Sequence, residues 1–258
     1  MRRHDPDLPL EVRGILSLAN KYQVELLRER IVGYLESEWP TSALEWVRQR
    51  ETERSLQDAT SSFFNNLSQP DEAGDYFLEP ASAIRLAHDF NISSILPAAY
   101  LRLARADPTI DWDTEMQPPH ARQVPRGARW KLLDSSDMLR LVQGKQMLQY
   151  TCIWILNNII HEDADCYDGC LYTSRPRTCQ QIVEQKSSEY RDSYMTFLGL
   201  VGGPDCIEML IGFKEDVGRW KLCLACTRMI YSRTGKEIRK LWDCLPQIFR
   251  LVPQGEDD

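Results

Sequence analysis

The chain has no apolar run of the roughly 18 residues that a membrane-spanning helix needs. Its longer runs, such as "CIWIL" at 152–156, have the length of a buried core segment. Its first residues, "MRRHDPDLPLEVRG", put charges and prolines where a secretory signal carries an apolar stretch. We therefore expect a protein of the cytoplasm or nucleus, without a membrane. On that expectation the sequons at Asn66 and Asn91 carry no weight, and the eight cysteines (152, 166, 170, 179, 206, 223, 226 and 244) read as thiols or metal ligands, not a disulfide framework. A cationic excess is missing too. With 31 basic and 38 acidic residues the net charge is −7, a balance that disfavours phosphate backbones and anionic lipid.

Catalytic signatures are equally scarce. The sequence contains no G-x-G-x-x-G, P-loop, H-E-x-x-H or G-x-S-x-G. Gly144-Lys145-Gln146 and Gly235-Lys236-Glu237 lack both the hydroxyl residue and the preceding glycine of a phosphate loop. Four histidines, at 4, 88, 120 and 161, leave a Cys–His enzyme as the least favoured reading. Strand-like alternation is absent as well, so the fold class we expect is all-α.

What is present is a folded composition, 43% apolar and 27% charged, with helical periodicity. Val12, Ile15, Leu16 and Ala19 make one apolar stripe and Leu27, Ile31 and Leu35 another, closed by Pro40. Thr41 or Ser42, with Glu45, is placed to cap a third helix over 41–56. Residues 61–82 are rich in turn formers and read as a loop. The opening pattern then returns: a shift of 68 positions carries Leu18 onto Leu86, Ala19 onto Ala87, Tyr22 onto Phe90, Val24 onto Ile92, Leu27 onto Ile95 and Leu35 onto Leu103. Residues 105–129 hold four prolines and read as a connection. From a cap at Asp134 or Ser135, Met138, Leu141, Val142, Leu148, Cys152, Ile155, Leu156 and Ile159 form one stripe. Further helices are expected from Cys179 to about Leu198 and from Leu224 through Trp242, with Leu245, Ile248 and Phe249 folding back. The expected organisation is 1–104, a 105–129 linker, and 130–258.

Three patterns invite chemistry. The first helix pair resembles a DNA-reading turn, but Arg28 and Arg30 face Glu25, Glu29, Glu36 and Glu38, so nucleic acid is not the expected partner. Asp163, Asp165 and Asp168-Gly169 approach a calcium loop, yet the third acid is one position late and Ser174 stands in place of the bidentate glutamate. The cysteines are more specific. Cys166 and Cys170 are spaced C-x3-C, and Cys223 and Cys226 C-x2-C at a helix start, so the two pairs can offer four thiolates to a structural zinc. Cys179, also at a helix start, can replace Cys166 or Cys170. The alternative is that these cysteines are small apolar core residues.

Four landmarks occur in order: "ILSLANKYQVELLRERIVGYLESEWP", "AIRLAHDFNISSILPAAYLRLAR", "LDSSDMLRLVQGKQMLQY" and "LCLACTRMIYSRTGKEIRKLWDCLPQIFRL". Together they resemble the fungal BTB/POZ domain-containing proteins over nearly the whole chain. The resemblance implies closing BTB helices, then a helical region comparable to the BACK segment. A helical C-terminal region follows, with recurrent cysteines and a W-x-x-L-P ending, here Trp242, Leu245 and Pro246. It also implies that the BTB core ahead of the first helix pair is missing, so neither dimerisation nor cullin docking carries over. The function expected is a non-enzymatic protein-interaction module, an adaptor or scaffold. A zinc-stabilised nuclear regulatory protein is the alternative, and a cysteine-dependent enzyme a minor one. Partner identity and oligomeric state are not readable from the residues.

Overall fold

The computed structural model describes residues 5–63, 78–113, 127–159, 178–197 and 206–251. Ten α-helices form among them: α1 (Leu8–Lys21), α2 (Glu25–Glu38), α3 (Ala43–Phe63), α4 (Pro80–Phe90), α5 (Leu96–Leu103), α6 (Ser135–Asn158), α7 (Cys179–Phe197), α8 (Cys206–Asp216), α9 (Leu224–Asp243) and α10 (Leu245–Ile248). No strand occurs among the described residues, only an isolated bridge between Asp111 and Ala128, so the fold is all-α. None of the described helices is long and apolar enough to cross a membrane. Two compact units divide the chain, residues 1–142 with 249–258, and residues 143–248.

In the first unit, α1 buries Leu8, Val12, Leu16 and Ala19, a single stripe at helical spacing that packs on α2 and α4. Ser42 caps α3: the Glu45 amide donates to its hydroxyl at 3.3 Å, while the Glu45 carboxylate takes the Thr41 amide at 2.9 Å. The helix runs on to Phe63, past its expected end, and residues 64–77 of the expected loop lie outside the described residues.

The 68-residue echo reappears in the backbone. Gln23 and Asn91, 68 apart, both adopt left-handed φ, 54° and 55°. The Val24 amide donates to the Ala19 carbonyl and the Ile92 amide to the Ala87 carbonyl, each at 2.9 Å. After that shared turn the copies diverge. α2 runs 14 residues, whereas the second copy makes one 3-10 turn (Ser93–Ile95) before the short α5 with Pro97 in its first turn. Leu18, Val24 and Leu27 are exposed; their counterparts Leu86, Ile92 and Ile95 are core.

Buried carboxylates organise this unit. Glu79 is wholly buried and caps α4, accepting the Ala81 and Ser82 amides at 2.9 and 2.7 Å and the Arg129 amide at 3.0 Å. The Arg129 guanidinium pairs with Asp7, beside the start of α1, and with Asp113 at 2.8 Å. Gly127 lies so close to Ile110 that a Cβ there would stand 1.9 Å from its carbonyl oxygen, so only glycine fits.

In the second unit, α8 packs on α7 and α9, and α10 on α9. Tyr190, Phe213 and Trp220 form an aromatic cluster with centroid separations of 5.3 and 4.9 Å along the chain of contacts. On α6, Leu141, Leu148, Cys152, Ile155 and Leu156, with Ile159 just past its end, are buried as expected, but Met138 and Val142 face solvent. These two lie at the margin of the stripe, where the 3.6-residue period carries side chains off the buried side.

Candidate metal centre

α7 begins with a reciprocal cap: the Gln181 amide donates to the Thr178 hydroxyl at 3.3 Å, and the Thr178 amide to the Gln181 side-chain oxygen at 3.1 Å. That cap fixes Cys179 as the first helical residue. Cys223 caps α9 from an extended backbone, its Sγ taking the Cys226 amide at 3.5 Å. The turn into Cys223 passes through Lys221 in left-handed geometry, φ 57°. Two helix starts, 44 residues apart in sequence, thereby place three sulfurs together.

Cys179, Cys223 and Cys226 are all buried, and their Sγ atoms lie within 4.8 Å of one another. The Cys223 amide donates to the Cys179 Sγ at 3.3 Å, tying the two elements directly. Two metal–sulfur bonds of ~2.3 Å span at most about 4.6 Å, so a central ion needs only small rotations of these side chains. Amide donors meet two of the sulfurs, and the starts of α7 and α9 bring the positive ends of their dipoles to the group. Three thiolates cannot stay charged together in an apolar site without a cation among them. The donor set is soft and anionic, so this group can hold a metal ion.

Of Cys166, Cys170, Cys223 and Cys226, the structure brings Cys223 and Cys226 together and joins Cys179 to them, while Cys166 and Cys170 lie outside the described residues. The calcium-like run 163–174 lies outside them too, as do His4, His120 and His161. Cys152, Cys206 and Cys244 are elsewhere, and no disulfide joins two of the six described cysteines. Gly144-Lys145 falls inside α6 and Gly235-Lys236 inside α9, where no phosphate-cradling loop exists.

Sequence reasoning missed a second constellation. Asp137, three residues into α6, is buried and receives the Tyr100 hydroxyl at 2.6 Å and the His88 Nε2 at 3.2 Å. Burial alone would raise its carboxyl, but hydrogen bonds from His88, Tyr100 and the Asp134 amide outweigh that and hold its pKa at about 2. Burial, with the Asp137 charge beside it, drives the Tyr100 phenol upward. Asp134 and Asp137 also exchange amide bonds, at 2.9 and 3.2 Å, which close the first turn of α6. Tyr100 is fully enclosed and stacked on Phe249, centroids 5.4 Å apart. This is an internal charge network that anchors α4, α5 and the first turn of α6 in the first unit.

The fold and this cluster define a class, an all-helical protein with a buried three-cysteine group. Compared with protein families, with curated proteins and with solved structures, the chain matches none.

Proposed function

We propose that this protein is a non-enzymatic protein–protein interaction module, an adaptor or scaffold, whose C-terminal helices are fastened by structural zinc. The observation that carries the reading is the three buried sulfurs delivered by two separate helix starts. Zinc is the ion that soft, buried thiolate sets of this kind hold in a structural role, without redox chemistry of its own. Its tetrahedral preference calls for a fourth donor, for which Cys166 and Cys170 precede Cys179 in the chain. Burial weighs against a nucleophilic role, since a catalytic thiolate must meet its substrate. The order of landmarks shared with fungal BTB/POZ domain-containing proteins supports the adaptor reading, and the acidic net charge speaks against nucleic acid as a partner.

Metal analysis of the purified protein tests the zinc, with about one equivalent expected, as a single site requires. A strong chelator is expected to loosen residues 143–248. Metal-free protein that is fully folded overturns the reading. Cys166→Ser and Cys170→Ser, measured beside Cys179→Ser, report the fourth donor by which of them releases the ion. A thiol-directed activity probe addresses the enzyme alternative, for which selective labelling of one cysteine is the signature.

A further inference from the structure

α6 is apolar on two sides. Opposite its buried stripe, Met147, Tyr150 and Trp154 repeat at i, i+3 and i+7, and they are 50, 62 and 54% exposed. Three large apolar side chains in one row are the pattern that receives a partner helix. The charge around them is unlike that of the chain as a whole. The molecule carries −7, yet residues 143–159 hold one lysine and no carboxylate, and α9 carries five cations against two carboxylates. Arg233 and Lys236 share the side of α9 that meets the end of α6, where the Arg233 guanidinium donates to the Ile159 carbonyl at 3.3 Å. Trp154, Asn158, Arg233 and Glu237 line a shallow pocket at that junction. Lys236, one turn from Arg233, makes no ion pair among the described residues.

We infer that this surface, the Met147–Tyr150–Trp154 row with the Arg233–Lys236 flank of α9, docks an amphipathic helix bearing acidic flanks from a protein partner. The inference rests on the interaction-module reading and names the partner's chemistry. A second copy of this chain is the poorer occupant, because pairing the surface with itself sets the Arg233–Lys236 flank against its like. Nucleic acid is poorer too, because Met147 offers no stacking plane to a base.

The probes are synthetic helical peptides of about 18 residues, long enough to hold helix, with leucine at i, i+3, i+4 and i+7 and either glutamate or lysine on the flanks. Titrating the full-length protein into dye-labelled peptide should give saturable binding of the glutamate peptide and at least about tenfold weaker binding of the lysine peptide. Trp154→Ala should weaken the glutamate peptide about tenfold and Lys236→Glu about threefold, while the exposed α2 variant Leu26→Ala should leave it unchanged. Equal binding of the two peptides overturns the proposal, and so does native binding by Trp154→Ala. Preferential uptake of a single-stranded DNA oligonucleotide, or a dimer that Trp154→Ala dissociates, overturns it in favour of the other occupants. Metal content, read on the same preparation, keeps the two readings apart: zinc-loaded protein that ignores the glutamate peptide removes only this docking site, whereas metal-free folded protein removes the fastener.

Discussion

The two units are closed by different chemistry. In residues 1–142 three buried carboxylates are held by side chains and amides: Glu79 by Arg129 and three amides, Asp137 by His88 and Tyr100, Glu53 by Arg50 and Arg102. In residues 143–248 two buried carboxylates, Glu208 and Glu237, are joined by three buried sulfurs and an aromatic cluster. These three carboxylates find their partners within the chain. Three sulfurs ionised together would need a cation among them. The first unit should therefore answer to acid and to loss of a single partner, and the second to chelation.

The largest effect should come from Cys223→Ser, because Cys223 both contributes a sulfur and caps α9. Structural zinc contributes on the order of 10 kcal/mol of apparent free energy in small zinc domains. We expect the variant to lose its metal and the cooperative unfolding of residues 143–248, while proteolysis and amide exchange across residues 5–63 stay native. Exchange that rises equally in both units would break the contrast.

Glu79→Ala tests the other side. It leaves the Ala81, Ser82 and Arg129 amides and the Arg129 guanidinium short of their acceptor inside the core. Leaving one member of a buried pair without its partner costs about 3 to 5 kcal/mol, and we expect the first unit to melt early with metal content unchanged. Ile95→Ala should cost about 2 to 5 kcal/mol, and Leu27→Ala well under 1, because Ile95 is core whereas its 68-residue counterpart is 38% exposed. Urea titration of the pair measures how far tertiary context separates two copies of one pattern.

Asp137 gives the acid arm. Its folded pKa of about 2 lies below the ordinary 3.8, so its contribution is full above pH 3.8 and is lost as pH falls from there through about 2. We expect about 1 to 2 kcal/mol of the first unit's stability to disappear over that window and the Asp137→Asn variant to show a flatter acid limb. Thermal denaturation at stepped pH reads both. A limb that stays steep in the variant would mean that other carboxylates, Glu79 first among them, carry the acid response.

These contrasts were unevenly legible in the residues. Local signals worked: Ser42 with Glu45 marks the start of α3, and the echo between Ala19–Val24 and Ala87–Ile92 survives as the same backbone hydrogen bond. α8 escaped notice because Cys206–Leu210 is buried without interruption, which leaves little amphipathic period to find. The metal group was half visible. Cys223 and Cys226 form a local pair, but Cys179 joins from 44 residues away, and only the meeting of two helix starts selects it. Asp137, His88 and Tyr100 left no trace at all, since a buried ion network has no spacing rule and its members meet only when α4, α5 and α6 pack. The apolar row Met147–Tyr150–Trp154 was hidden for the opposite reason: against so strong a buried stripe, a second period on α6 is seen only once solvent exposure is known.

The smallest effect is the sharpest test of how each cluster constrains its backbone. Gln23 in the first unit and Lys221 in the second are both non-glycine residues at positive φ, 54° and 57°. A side chain there costs about 1 to 2 kcal/mol, and glycine removes that strain while adding up to about 1 kcal/mol of unfolded-chain entropy. Gln23→Gly should therefore stabilise the first unit by a few tenths of a kcal/mol with no effect on metal. Lys221 differs because it lies two residues before Cys223 and sets the approach of that amide to the Cys179 sulfur. If the closed cysteine group holds Lys221 in its strained conformation, Lys221→Gly should stabilise the metal-loaded form more than the chelated one, and competition with a chelator should show tighter retention. Equal gains with and without metal would place the strain in the loop itself, independent of the sulfurs, and would leave Cys179 and Cys223 brought together by helix packing before any ion binds.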